Sequence, residues 1–322
     1  MEKSFLAKGF PLLFCIMSKQ AFTPYQIQSI SELHRILELP KPKHPLVSVI
    51  DFERIKCYSE EKLRSVSYNF YCIAVKKNFE GKMKYGQNYY DFDEGLMTFF
   101  SPGQVVTTEI NYDKKLSGWW LVVHPDFIQH TSLAKKIAGY GFFSYAVHEA
   151  LHLSEDEESM LEDIINKVAL ESVSATDQFS QDVIISYLEL FLNYCNRFYN
   201  RQFITRKQAS NDMLSKLEEL LAAYFSSMET TQNGLPTVQY LADQLNVSPK
   251  YLSDMLKAVT GQSTQQHIHD KLIEKAKEIL STTSQSVSEI AYQLGFEHPQ
   301  SFNKLFKSKT NTSPLEFRHS FN

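Results

Sequence analysis

Val238-Gln-Tyr-Leu-Ala-Asp-Gln-Leu-Asn-Val-Ser-Pro249 and Val287-Ser-Glu-Ile-Ala-Tyr-Gln-Leu-Gly-Phe-Glu-His-Pro299 are two versions of one phrase. Val238, Leu241, Ala242, Gln244 and Leu245 recur 49 residues later as Val287, Ile290, Ala291, Gln293 and Leu294. Pro249, Leu252, Leu256, Lys257, Thr260 and Ser263 recur 50 residues later as Pro299, Phe302, Phe306, Lys307, Thr310 and Ser313. The register slips by one residue between two apolar periodic runs, which marks each copy as two helices and the turn that joins them.

In the first copy Asn246 suits a left-handed turn, and Ser248-Pro249 supplies an N-cap with proline at the first helical position. In the second, Gly295 makes the turn, Phe296 anchors it and Pro299 starts the next helix. The apolar positions Leu252, Met255, Leu256 and Val259 on one helix, and Phe302, Leu305 and Phe306 on the other, face inward. That turns Lys250, Tyr251, Ser253, Asp254 and Lys257 outward on the first, and Gln300, Ser301, Asn303, Lys304 and Lys307 on the second, with Lys309 beyond. Polar groups in that position on the second helix of a helix-turn-helix enter a DNA major groove.

These residues resemble the C-terminal DNA-binding domain of the AraC/XylS transcription regulators. The resemblance covers 214–321, and its most specific parts are Ile290-Ala-Tyr-Gln-Leu-Gly-Phe296, Ser301-Phe-Asn-Lys-Leu-Phe-Lys307 and Thr312-Ser-Pro-Leu-Glu-Phe-Arg318. Asn311 stands where that family usually has Gly, and Lys304 where Arg is common, which exchanges a bidentate contact to guanine for a point charge. Asp254 departs further, since an acid facing DNA must accept from a cytosine amino group or avoid the phosphates. The resemblance implies a double-stranded DNA partner, an N-terminal domain that senses a small-molecule effector, a homodimer, and contact with RNA polymerase. It implies no cofactor and no enzyme activity.

Working outward, a chain of 322 residues has room for two domains. Its net charge of −4 does not advertise nucleic-acid binding, and from Asn211 onward ten Lys/Arg face twelve Asp/Glu. The case for DNA rests on placement, because no acid interrupts Lys304, Lys307 and Lys309 between Gln300 and Asn311. Arg197, Arg201, Arg206 and Lys207 form a basic approach to the domain. Cys15, Cys57, Cys72 and Cys195 make no CxxC pair, which fits reduced thiols in a cytoplasmic protein.

Residues 1–20 carry an apolar run from Phe10 to Met17 that is interrupted by Pro11 and too short for a membrane span. The patterned chain begins just after Met17, where translation is expected to start. A short arm and helix follow to Leu39, and then runs rich in Val, Ile, Tyr and Phe: 46–52, 68–76, 81–90, 95–100, 104–110 and 119–123. Such spacing predicts an antiparallel barrel or sandwich. The absence of histidine between His44 and His124 argues against a metal-binding barrel. Tyr68, Phe70, Tyr71, Tyr85, Tyr89, Tyr90, Phe92, Trp119 and Trp120 either fill its core or stack on an effector.

His148-Glu-Ala-Leu-His152 matches the HExxH pattern of zinc peptidases, with Glu171 the tempting third ligand. That chemistry needs both histidines on one helical face, whereas Ser154-Glu-Asp-Glu157 reads as a capping box that starts a helix only after His152. A peptidase using His148, Glu149 and His152, and a ligand-binding barrel with a protein-binding helical tail, are the competing readings.

The expected architecture is α+β: an N-terminal cupin-like β-barrel or sandwich sensor domain (21–153), a helical stem (154–205) whose stripe serves a dimer or the barrel, and a linker (206–212). An all-α domain (213–322) follows, with two helix-turn-helix units joined by a linker helix over 262–280.

Overall fold

The computed structural model describes residues 24–56, 65–77, 83–85, 88–90, 96–107, 117–174 and 177–320. Residues 1–23, including Met17 and Cys15, and also Cys57 and Phe92, lie outside the described residues, as do the side chains of Tyr85, Tyr89 and Tyr90.

Among the described residues the N-terminal region holds ten strands. Five of them, β2 (Val47–Asp51), β4 (Tyr71–Lys77), β7 (Leu96–Phe100), β9 (Ser117–Val123) and β10 (Leu151–His152), form an antiparallel sheet in the order β10-β7-β4-β9-β2. A smaller sheet in the order β1-β3-β8 combines β1 (Tyr25–Ile27), β3 (Ser65–Tyr68) and β8 (Val105–Thr107), and a hairpin joins β5 (Met83–Tyr85) to β6 (Asn88–Tyr90). The stretch expected as an arm contains β1, which pairs with β3 in parallel. No local pattern of three residues could signal a pairing to a strand 41 residues away, because register between such short segments is fixed by what they cover.

The large sheet is buried on both faces, as the alternation along β9 shows. Trp119, Leu121 and Val123 join the core shared with the helices, and Trp120 and Val122 point into a second core with Phe70, Ile30 and Leu33. The rings of Phe70, Trp119 and Trp120 therefore fill cores. Gly118 sits at φ +108°, and a Cβ there would lie 2.1 Å from the Val75 carbonyl, so β9 can approach β4 only with glycine at that point.

Helix α1 (Ile30–Ile36) is shorter than expected, since Ile27 belongs to β1. Next, α4 (Glu155–Val173) and α5 (Ser180–Thr205) pack as a hairpin over the sheet, after the short α2 (Pro125–Ile128) and α3 (Ser132–Lys136). The capping box at Ser154 and Glu157 is formed. The expected linker over 206–212 is helix instead. Only Arg206 breaks the path, with φ −82° and ψ 48°, before α6 (Lys207–Ser226) begins. There Gln208 and Ala209 are exposed while Ser210 is buried and donates to the Phe203 carbonyl, and α6 is anchored further on by buried Leu217, Leu221, Tyr224 and Phe225.

The remainder is all helical: α7 (Glu229–Asn233), α8 (Val238–Gln244), α9 (Pro249–Thr260), α10 (Thr264–Thr282), α11 (Val287–Gln293), α12 (Pro299–Thr310) and α13 (Pro314–His319). The turns form where the sequence places them. Asn246 has φ 55°, Gly295 φ 90° and Asn311 φ 62°, while Ser248 and Ser263 cap α9 and α10 and Ser286 and Ser313 cap α11 and α13. Phe302 and Phe306 are fully buried, and each contributes about 1.5 to 3 kcal/mol by leaving water. One apolar core runs unbroken from Val47 in the sheet to Phe306 in α12. None of the helices described is long and apolar enough to cross a membrane.

Candidate nucleic-acid interface

The amphipathic pattern of α12 buries Phe302 and Phe306 and leaves Gln300, Ser301, Asn303, Lys304 and Lys307 exposed on one side. Beside them lies an open hollow of about 420 Å³, lined by Val287, Asn303, Lys304, Lys307, Ser313, Pro314 and Leu315. Lys309 is placed differently, with its Nζ 2.7 Å from Asp270 on α10, which lowers its value as a phosphate contact. Thus α12 offers a polar face with two cations that no described ion pair neutralises.

Helix α9 has the same design and a different environment. Lys257 is exposed, and the Ser253 hydroxyl lies 3.0 Å from that of Thr264 at the start of α10. Tyr251 is covered by two rings of the preceding region, with Tyr145 at 5.2 Å and Phe203 at 5.1 Å between centroids. Burial pushes its phenol up to about 12, and the neighbouring Glu149 adds to the shift. Asp254 accepts from the Tyr145 hydroxyl at 2.7 Å and from Lys250 Nζ at 2.7 Å. Its carboxylate is thus held by a tyrosine 109 residues away, which accounts for an acid at this position. The 3-10 turn Gly141–Ser144 lies close enough that a Cβ on Gly141 would come 2.1 Å from Asp254 Oδ2.

The start of α9 is met by Glu149, which is 4% exposed. One carboxylate oxygen accepts from the Ser248 backbone N–H at 2.6 Å, and the other from the Ser248 hydroxyl at 2.6 Å and the Ala146 N–H at 2.5 Å. Burial pushes the Glu149 carboxyl up, and those hydrogen bonds pull against it. Helix α5 positions the segment. Tyr199 donates to the Glu149 carbonyl at 3.1 Å, and Gln202 accepts from the His152 N–H at 2.8 Å and donates to the Ala150 carbonyl at 3.1 Å. His148 Nε2 lies 3.1 Å from the Asn246 carbonyl, in the turn before α9.

The peptidase reading fails on this geometry. His148 and Glu149 lie in a 3-10 turn, Val147–Glu149, and His152 lies in β10, so the two imidazoles share no helical face. The carboxylate that would activate water is engaged by Ser248 and Ala146. Among the described residues no group of three or more His, Cys, Asp or Glu is placed to hold a metal.

Glu149, Tyr145 and Phe203 were not legible as partners of α9. The single hint was the anomalous Asp254.

Comparison with known proteins finds similarity over this part of the chain. A helix-turn-helix domain family matches residues 241–320. An uncharacterised HTH-type transcriptional regulator from the cgkA 5′ region of Pseudoalteromonas carrageenovora is 33% identical over 84 residues, 26% of this chain and 49% of that protein. The HTH-type transcriptional activator RhaS of Escherichia coli is 35% identical over 78 residues, 24% of this chain and 28% of that protein. Among solved structures, the C-terminal domain of the two-component response regulator yesN from Fusobacterium nucleatum is 34% identical, covering 31% of this chain and 96% of that one with a TM-score of 0.27. The chain spans less than half the length of these two curated relatives, both of which are named as transcription regulators.

Proposed function

We propose that the chain is, through residues 241–320, a regulator of the AraC/XylS type, a reading supported by its helix-turn-helix family match and its similarity to two HTH-type transcription regulators. On this reading the whole protein is a sequence-specific regulator of transcription, acting on double-stranded DNA in the cytoplasm. Its two helix-turn-helix units are α8–α9 and α11–α12. The observation that carries the reading is the face of α12, where Gln300, Ser301, Asn303, Lys304 and Lys307 all stand exposed over a buried apolar side.

Helix α10 joins the two units. Its 19 residues span about 28 Å, close to the ~34 Å between successive major grooves on one face of a duplex. One chain can therefore address two grooves. Gln300 is suited to adenine and Lys304 to guanine, whereas Lys257 and Lys307 suit phosphates, with Lys309 a weaker contributor while it pairs with Asp270. Lys250, Tyr251, Ser253 and Asp254 are assigned to the first groove once α9 is uncovered.

The N-terminal sheets are read as a cupin-like sensor over 21–153, and α4–α5 as its stem. The DNA-binding domain then starts at α6, directly after Arg206. Of the α5 stripe, Ile184, Leu188, Phe191 and Phe198 pack into the core, and a homodimer through the stem is supported by exposed Phe179, Val183 and Leu190 beside it. Contact with an effector and with RNA polymerase completes the reading.

The test is competition. A duplex enriched from a randomised pool by the full chain should resist challenge by random duplex, and its affinity should fall steeply with salt. Equal displacement by random and enriched duplex at every salt concentration would contradict sequence-specific binding.

A further inference from the structure

The two helices assigned to DNA differ in one respect that their repeat does not explain. Helix α12 is open to solvent on its polar side, whereas the N-terminal half of α9 is covered by residues 141–149 and Phe203. The cover is chemically specific. A helix N-terminus gathers unpaired N–H groups and the positive end of the helix dipole, so it favours an anion, and on DNA such ends contact phosphate oxygens. At α9 that position is filled by Glu149, whose two oxygens take the Ser248 N–H and hydroxyl at 2.6 Å each.

We propose that residues 145–149 are an internal substitute for a DNA phosphate: the Glu149 carboxylate caps α9, Tyr145 holds Asp254, and this latch must open before α9 can enter a groove. The inference rests on the DNA-binding function proposed above. Closure and full engagement of DNA are mutually exclusive, because the same Ser248 donors and the same Tyr251 and Asp254 side chains serve both. Apparent affinity is therefore the open-state affinity scaled by the fraction of molecules that are open. The latch is joined to α5 through Tyr199 and Gln202, so a shift of that helix against the sheet moves Glu149 directly.

Two substitutions weaken the latch without emptying the core. Glu149→Gln keeps the shape, removes the charge and presents an amide donor to the Ser248 donors. Tyr145→Phe removes only the hydroxyl that reaches Asp254. Glu155→Gln, on an exposed residue of α4, removes the same charge elsewhere and serves as control. The probe is a duplex enriched from a randomised pool by the full chain. Both latch variants are expected to bind it at least about fivefold tighter than the parent, and the control to change by less than about twofold. Amide exchange of the parent offers a second measurement independent of substitution, in which residues 141–149 should exchange faster when the duplex is bound. Parent-like or weaker binding by both folded variants, or unchanged protection of 141–149 on the duplex, overturns the latch and leaves DNA binding standing. If no form distinguishes enriched from random duplex, the DNA-binding function itself fails, and the inference falls with it.

Discussion

The Glu149 carboxylate accepts from both the backbone N–H and the hydroxyl of Ser248 at 2.6 Å, although 99 residues separate the two. Ser248 is also the N-cap of α9, its hydroxyl accepting from the Tyr251 N–H at 3.2 Å. One side chain thus ends a helix and joins two regions of the chain. Ser248→Ala removes the cap and the hydroxyl's bond to Glu149 while the backbone N–H bond remains, and the lost cap alone should cost about 1 kcal/mol of stability. Chemical denaturation of parent and variant measures the difference, and equal midpoints would show that solvent replaces the hydroxyl.

Lys304 and Lys307 stand one turn apart on α12 and are assigned different roles. Lys304→Ala should cost about 1 to 3 kcal/mol on the enriched duplex and relax preference at one base pair, whereas Lys307→Ala should weaken every sequence alike. Binding to a panel of single-base variants of the enriched duplex separates them. An equal loss from Lys304→Ala on enriched and random duplex would remove it from base readout.

Phe306 is fully buried between Phe302 and Phe317, with ring centroids at 5.7 and 5.6 Å. Phe306→Ala should destabilise the C-terminal helices by about 3 to 5 kcal/mol, through lost burial and the cavity left behind. Because one apolar core continues from the sheet into α12, the loss should also lower the unfolding midpoint of the sheet region. Near-ultraviolet dichroism, dominated there by Trp119 and Trp120, reports that region. An unchanged tryptophan transition would show that the two regions unfold independently.

His152 is held neutral down to about pH 4, first by burial and then by the charges of Arg206 and Arg201. In the unfolded chain an imidazole takes its proton near pH 6.5. Between those values the unfolded state binds more protons, so stability falls as pH is lowered from about 6.5 toward 4. His152→Gln should flatten the fall in thermal midpoint between about pH 7 and about pH 5. A slope equal to that of the parent would assign the effect to other groups.

The C-terminal helices were legible because their signals are local. Asn246, Gly295 and Asn311 adopt positive φ where turn chemistry asks for it, and Ser248, Ser263, Ser286 and Ser313 start helices within three residues of the groups they cap. The exposure of Gln300, Ser301, Asn303, Lys304 and Lys307 on α12 follows from the spacing of Phe302 and Phe306 alone. What escaped the sequence is non-local. The parallel pairing of β1 with β3, the continuation of α5 and α6 through the expected linker, and the cover over α9 each depend on a distant surface. His148-Glu-Ala-Leu-His152 shows the difference in one segment, since its residue types point to metal chemistry and its backbone delivers Glu149 to Ser248.

The repeat that begins at Val238 and again at Val287 makes its most direct claim about DNA geometry, and selection of duplexes from a randomised pool by the full chain measures it. Two α-helices in successive major grooves of one face should enrich two short blocks of defined sequence, their centres about 10 to 10.5 base pairs apart. Enrichment of a single block, or of none, would contradict the paired use of α9 and α12.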